Sequence, residues 1–199
     1  MHTKAKELLA TRSGHQLTMN ARQFINHHRA NMELDEMDMP DTCLDKPPPQ
    51  PNVYTDGAFK HPQTQRWSLG GFGVWWADRN LETHPLTALE RTWTTWKEEL
   101  GKPSLWGSLS GHRASSTRTE LAAGSVSMLS TSPVHQATDS MAYSKKMEKI
   151  LAGQDMTERR PWGIQTDGDL WELMERIVKH KGGIVCRCNG SKDMLSKKI

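Results

Sequence analysis

The 199 residues contain no apolar run long enough to cross a bilayer, and the start Met1-His2-Thr3-Lys4-Ala5-Lys6 lacks the apolar stretch of a secretion signal. A soluble, intracellular protein is therefore expected, with cytoplasm and nucleus not distinguished. Cysteine is scarce. Three thiols, Cys43, Cys186 and Cys188, cannot build a disulfide framework. Cys-x-Cys within one short strand puts two thiols on one face without completing a metal set, so all three are read as reduced thiols. Charge of one sign is nearly balanced as well. The formal net charge is +3; residues 1–50 carry 6 Lys and Arg against 7 Asp and Glu, the remainder 20 against 16. The later part of the chain is mildly basic, which is compatible with a phosphate backbone as partner and equally with a need for solubility.

With 35% hydrophobic residues, the length suffices for one core of ordinary domain size plus an appendage. Residues 1–46 show patchy helical periodicity, as in Phe24, Ile25 and His28, followed by an acidic stretch from Glu33 to Asp45. They read as a partly helical leader or the tail of a preceding domain. Pro47-Pro48-Pro49-Gln50-Pro51 favours extended geometry and blocks helix, making 47–51 a linker and 52–199 the domain.

Within the domain, Val53 to Asp56, the glycine-rich Gly70 to Trp76 and the alternating Trp106 to Ser110 read as three strands. Residues 77–105 exceed a hairpin link, and Trp93, Trp96, Glu98 and Glu99 suggest a short helical insertion there. Leu121, Ala122, Ser125, Val126, Met128 and Leu129 recur at helical spacing between Arg118 and Ser130. Val134 to Thr138 makes a fourth strand. Tyr143, Met147, Ile150 and Leu151 mark a second helix. Leu170, Trp171, Met174, Ile177 and Val178 mark a third, ended by Gly182-Gly183, and Ile184 to Cys188 can add a fifth strand. No internal repeat stands out beyond an echo of Asp56-Gly57 in Asp167-Gly168.

Three carboxylates fall at informative places in this order. Asp56 and Asp139 end short β-rich runs, Val53-Tyr54-Thr55-Asp56-Gly57 and Gln136-Ala137-Thr138-Asp139-Ser140, and Glu120 opens a helical run in Ser116-Thr117-Arg118-Thr119-Glu120-Leu121. Strand ends carry their last side chains to the rim of a sheet, and a helix packed on that sheet brings a first-turn carboxylate to the same rim. Three acids at one point hold divalent metal.

The pattern resembles the ribonuclease H family over about residues 51–191. Asp56-Gly57, Arg118-Thr119-Glu120 and Thr138-Asp139-Ser140 match that family's Asp-Gly on the first strand, Arg-x-Glu opening the first helix and Thr-Asp-Ser after the fourth strand. The resemblance implies an α/β fold, a mixed five-stranded sheet flanked by helices. It implies hydrolysis of the RNA strand of RNA/DNA hybrids with Mg²⁺, for which Mn²⁺ can substitute. Asp56 would bridge two ions, Glu120 would contact one and position the attacking side, and Asp139 would complete the shell. Hybrid contacts would come from Gly57, Ser116, Thr117, Arg118, Ser140 and Trp162. Ser116 and Thr117 occupy the place of asparagines that touch the minor groove, and their hydroxyls can still bond a 2′-OH. Trp162, in Arg159-Arg160-Pro161-Trp162, lies where some members carry a basic, Trp-containing protrusion, although it can equally cap the core. Asp167 and Asp169 are expected to cap the third helix.

Departures from the family are concentrated late in the chain. Asn189-Gly190-Ser191 stands where Lys-Gly-His is usual, and the family's fourth acid would fall just beyond Ile199, with Asp193 a poor match. The sequence reads as truncated, without the C-terminal helix, and suggests a domain from a retroelement polyprotein. Two other readings follow: an inactive remnant that keeps nucleic-acid binding, and a transposase or integrase core, which shares the fold but commonly orders its acids Asp, Asp, Glu.

Overall fold

Val53 and Thr55 turn inward and Asp56 outward along β1 (Val53–Lys60) in the computed structural model, which describes residues 39–60, 69–109, 115–158 and 160–188. Of the leader expected over residues 1–46, residues 1–38 lie outside the described residues, as do Arg159, Asn189-Gly190-Ser191 and Asp193. β2 (Leu69–Trp76) buries Gly70, Phe72, Val74 and Trp76 in alternation and pairs antiparallel with β1, Val53 facing Trp76 and Asp56 facing Gly73. The period of two is what a sheet with one well-covered face requires.

Residues 77–105 depart from the expected helical insertion. A single short helix, α1 (Ala88–Trp93), is followed by an added strand, β3 (Thr95–Glu99), paired antiparallel with β4 (Lys102–Leu109). Leu100 and Gly101 form the two-residue turn between them, with φ of 53° and 74°. Two successive positive φ values match the right-handed twist of a hairpin. All five residues of β3 are exposed, so no buried alternation marks it as a strand. Trp96, Glu98 and Glu99 thus lie on a sheet edge, where Lys97 and the two glutamates discourage pairing with another chain.

The insertion is organised by one buried ion pair. Arg79 donates to both oxygens of Glu90, at 2.6 and 2.9 Å, and neither side chain is solvent-exposed. Its Nε and Nη2 also donate to the carbonyls of His84 and Pro85, and the guanidinium lies 4.9 Å from the Trp76 ring centre. Glu90 also closes a capping box with Thr87.

The sheet has the order β3-β4-β2-β1-β5-β6 among the described residues: six strands, against the five expected. β5 (Val134–Thr138) and β6 (Ile184–Cys188) run parallel to β1 and to each other, making the sheet mixed. The element order, apart from the added strand, is the one implied by the resemblance to the ribonuclease H family.

α2 (Ser116–Met128) packs on β1 and β2 and is covered in turn by α3 (Met141–Leu151) and α4 (Gly168–Lys181). Every residue from Thr119 to Met128 is buried, so α2 is a central helix and not one with a single apolar stripe. Small residues at Ala122, Ala123, Gly124 and Ser125 let its neighbours approach on several sides; a Cβ at Gly124 would collide with the Tyr143 ring. Tyr143 instead donates to Gln136 at 2.8 Å, and Gln136 donates to Thr55 at 3.2 Å, a chain of bonds joining α3, β5 and β1.

The stretch before β1 is tied to the same body. Cys43 is buried and its N–H donates to the Lys181 carbonyl at 2.6 Å, while the Asn52 side chain donates to the Pro133 carbonyl and Asn52 exchanges hydrogen bonds with His135. No helix among the described residues is long and apolar enough to cross a membrane.

Removing one partner of the Arg79–Glu90 pair leaves an uncompensated buried charge. Glu90→Ala should cost about 3–5 kcal/mol of unfolding free energy, read from the urea midpoint. Replacing both partners by Met and Leu should recover most of that loss.

Candidate metal centre

Asp56 sits on the central strand, and the parallel register of β1 with β5 aligns Val53 with Gln136 and Tyr54 with Ala137. Carried two residues on at the same offset, that register brings Asp139 level with Asp56, just past the end of β5. Asp139 is held there by a tight connection: Ser140 donates its N–H to the Thr138 hydroxyl at 3.1 Å and its own hydroxyl caps α3 by accepting from Tyr143 N–H.

Glu120 arrives from the helix. Ser115 is the N-cap of α2, its hydroxyl accepting the Arg118 N–H at 3.0 Å, and the Thr119 hydroxyl donates to the Ser116 carbonyl at 2.7 Å. These bonds fix the first turn that precedes Glu120. Gly57 lets this turn press against β1, because a Cβ there would stand 2.5 Å from the Glu120 nitrogen and 2.8 Å from the Thr119 carbonyl carbon. The approach is sealed by the Gly57 N–H, which donates to Glu120 Oε1 at 3.0 Å.

The three carboxylates therefore meet. Asp56, Glu120 and Asp139 each present an oxygen within 4.8 Å of the others. Asp56 and Asp139 are exposed and Glu120 is 7% exposed. Glu120 Oε2 is buried with no hydrogen-bond partner. Burial first, and then the charge of Asp139, push the Glu120 carboxyl up to about 7; the Gly57 N–H pulls in the opposite direction and Asp56 adds to the rise. An inward oxygen without a partner, beside two further carboxylates, is a cluster short of positive charge.

The other predicted positions separate into two groups. Gly57, Ser116 and Thr117 lie beside Glu120, with Ser116 and Thr117 exposed at the start of α2. Ser140 adjoins Asp139 and is engaged as a helix cap. Arg118 turns away from the cluster: it forks onto Asp169 at 2.8 and 2.6 Å and reaches Asp167 at 3.3 Å. Asp167 occupies the N-cap position of α4 but makes no side-chain capping bond and has a left-handed backbone, φ 55°. The expected capping by Asp167 is thus corrected, while Asp169, in the first turn of α4, accepts backbone N–H groups of that turn as well as the Arg118 fork. Neither aspartate joins the metal-competent group among the described residues.

Of the two readings of Trp162, its burial favours the core. Trp162 is 2% exposed, donates its indole N–H to Glu175 at 2.6 Å, and lies with its ring centre 4.6 Å from the Lys146 ammonium. Its apolar area is spent on the core, which leaves no ring face for a nucleic acid. No local signal announces the Arg118–Asp169 pairing, whose partners lie 51 residues apart.

No protein-family model matches the chain, and no curated protein does either. Among solved structures, the solution structure of the PFV RNase H domain is 19% identical, with a TM-score of 0.44, 70% of this chain and 78% of that one being covered. LC9-RNase H1, described as a type 1 RNase H with the type 2 active-site motif, is 17% identical at a TM-score of 0.46, covering 72% and 65%. The foamy viral protease-reverse transcriptase in complex with RNA/DNA hybrid is 13% identical at a TM-score of 0.46, covering 90% of this chain and 25% of that one. Likeness at this level assigns neither an activity nor a ligand to the present chain.

Gly57→Ala should push α2 off β1 and cost about 1–3 kcal/mol as an overpacking change, with the loss read by chemical denaturation. A second expectation concerns pH. Because the folded-state pKa of Glu120 is raised from the ordinary 4.5 to about 7, the stability linked to its protonated form is full below about 4.5 and is lost as pH rises through about 7. Without divalent ions, the wild-type melting temperature should therefore fall over that window relative to Glu120→Gln. Added Mg²⁺ should raise it more at about pH 8 than at about pH 5.5, where a proton competes for the site.

Proposed function

We propose that the chain is a divalent-metal-dependent nuclease that hydrolyses the RNA strand of RNA/DNA hybrids, with Asp56, Glu120 and Asp139 as its metal ligands. The observation that carries this reading is the meeting of the three carboxylates within 4.8 Å. The donor set suits Mg²⁺, a hard cation that takes oxygen ligands, and Mn²⁺ can substitute. The unpartnered Glu120 Oε2 is the kind of buried atom a cation would satisfy.

Divalent ions bound there would supply an activated water and charge stabilisation at phosphorus. The chain's own residues set the stage for that chemistry. Asp56 and Asp139, level with each other across adjacent parallel strands and both exposed, face the side from which a substrate phosphate would approach. Gly57 N–H holds one Glu120 oxygen and so fixes the direction of the other. Without a cation Glu120 is about half ionised near pH 7 and increasingly so above it, so its charge develops across neutrality.

The choice of hybrid over other phosphodiesters rests on the three motifs together and on the exposed Ser116 and Thr117 hydroxyls beside Glu120, which suit a 2′-OH. Within this proposal Arg118 and Trp162 contribute through the scaffold, because each is engaged inside the protein, whereas the half-buried Ser140 hydroxyl accepts from Tyr143 N–H and keeps its hydrogen for the hybrid.

Labelled RNA/DNA hybrid incubated with Mg²⁺ should yield shortened RNA and intact DNA, with cleavage stopped by EDTA. Asp56→Asn should abolish this cleavage while leaving hybrid binding largely intact, because it removes charge and metal affinity but little volume. Undiminished cleavage by Asp56→Asn would place the activity elsewhere. Binding by the wild type without cleavage in either Mg²⁺ or Mn²⁺ would favour the remnant that only binds nucleic acid.

A further inference from the structure

Two local rules are broken at one spot. Arg118 places a cation in the first turn of α2, which holds no acid of its own and where the helix dipole disfavours positive charge. Asp167 sits at the N-cap of α4 in a left-handed conformation, without a capping bond and with Oδ2 buried and unpartnered. Each is unfavourable alone, and the two meet in one ion cluster. The Arg118 side chain is 14% exposed and forks onto Asp169, with Asp167 on its flank. Local rules broken by residues that pair with each other point to a constraint beyond either helix alone.

What the cluster constrains is the turn that precedes Glu120. α2 and α4 are far apart in sequence, and the fork ties their N-termini together two residues before the carboxylate. A bidentate guanidinium contact fixes rotation as well as distance, which a single ammonium contact does not. Glu120 needs both. Its Oε1 must meet Gly57 N–H, and its carboxylate must keep an oxygen close to Asp56 and Asp139.

We propose that Arg118, Asp167 and Asp169 are positioning residues for Glu120: the clamp sets the rotation of the first turn of α2 and thereby the geometry of the three-carboxylate site. The inference rests on the metal-site reading above. It removes Arg118 from the substrate and gives it a role inside the protein.

The test uses the full 199-residue chain and two variants. Arg118→Lys keeps the charge and loses the fork, and Asp169→Asn keeps the volume and loses the charge. Mn²⁺ affinity is measured by electron paramagnetic resonance, the Gly57 amide proton is followed by NMR without metal, and melting temperature is recorded beside them. In both variants the Mn²⁺ dissociation constant should rise by about tenfold, the lower end of what groups supporting metal ligands show. The Gly57 amide should move upfield as its bond to Glu120 weakens. The double variant should be no worse than the worse single one, since both act through one contact. Unchanged Mn²⁺ affinity and an unmoved Gly57 amide, with only the melting temperature lowered, would reduce the clamp to a helix fastener and overturn the proposal. If the wild type binds no Mn²⁺, the metal-site reading fails by itself. The Gly57 amide then decides alone: a shift upholds positioning and its absence refutes it.

Discussion

The rest of the site depends on the close approach of α2 to β1 at Gly57. Any side chain at that position would meet the backbone of Thr119 and Glu120, and the helix would have to stand off the sheet. With hydrogen there instead, the first turn of α2 touches the central strand and an edge of backbone, Gly57 N–H, is left to bind Glu120. The same contact that packs the helix aims the carboxylate. Packing and chemistry are not separable at this point, because interiors are dense enough that a displacement of a methyl group is felt.

Electrostatics then turn a packed corner into a site. Three acids drawn together would repel one another, and the burial of Glu120 adds to the cost of its charge. The fold accepts this because the strain is local while the support is broad: β5 and α2 are buried along nearly their whole length, and a hydrogen-bonded chain from Tyr143 through Gln136 to Thr55 locks the strands that carry Asp56 and Asp139. A cation at the cluster would relieve both the repulsion and the unpartnered Glu120 oxygen. Arg118, the nearest cation along the chain, is held by Asp167 and Asp169.

Elsewhere the same logic of long-range partners decides what local sequence leaves open. Arg79 and Glu90 organise the insertion after β2, and the added strand β3 closes the sheet edge beyond β4. That strand is hidden from sequence reading because none of its side chains is buried and its turn is Leu-Gly, not the Asn-Gly or Asp-Gly that announces such a hairpin. Gly101 alone hints at it. Trp162 is ambiguous for a related reason: an indole beside arginines serves a core or a nucleic acid equally until its N–H partner, Glu175, is known.

The sequence by itself determined the three acids, the elements that bear them and the order of those elements, since alternation, helical spacing and glycine placement are local signals that short segments carry unaided. Asp56-Gly57, Glu120 and Asp139-Ser140 are legible on that basis. Only the tertiary structure decided the desolvation of Glu120, the diversion of Arg118 to two aspartates, the failure of Asp167 as a cap and the burial of Trp162. Each of these is set by a partner distant in the chain. Spacing along a sequence can place a charge on an element, but the energy of that charge depends on what the fold brings within a few ångströms of it.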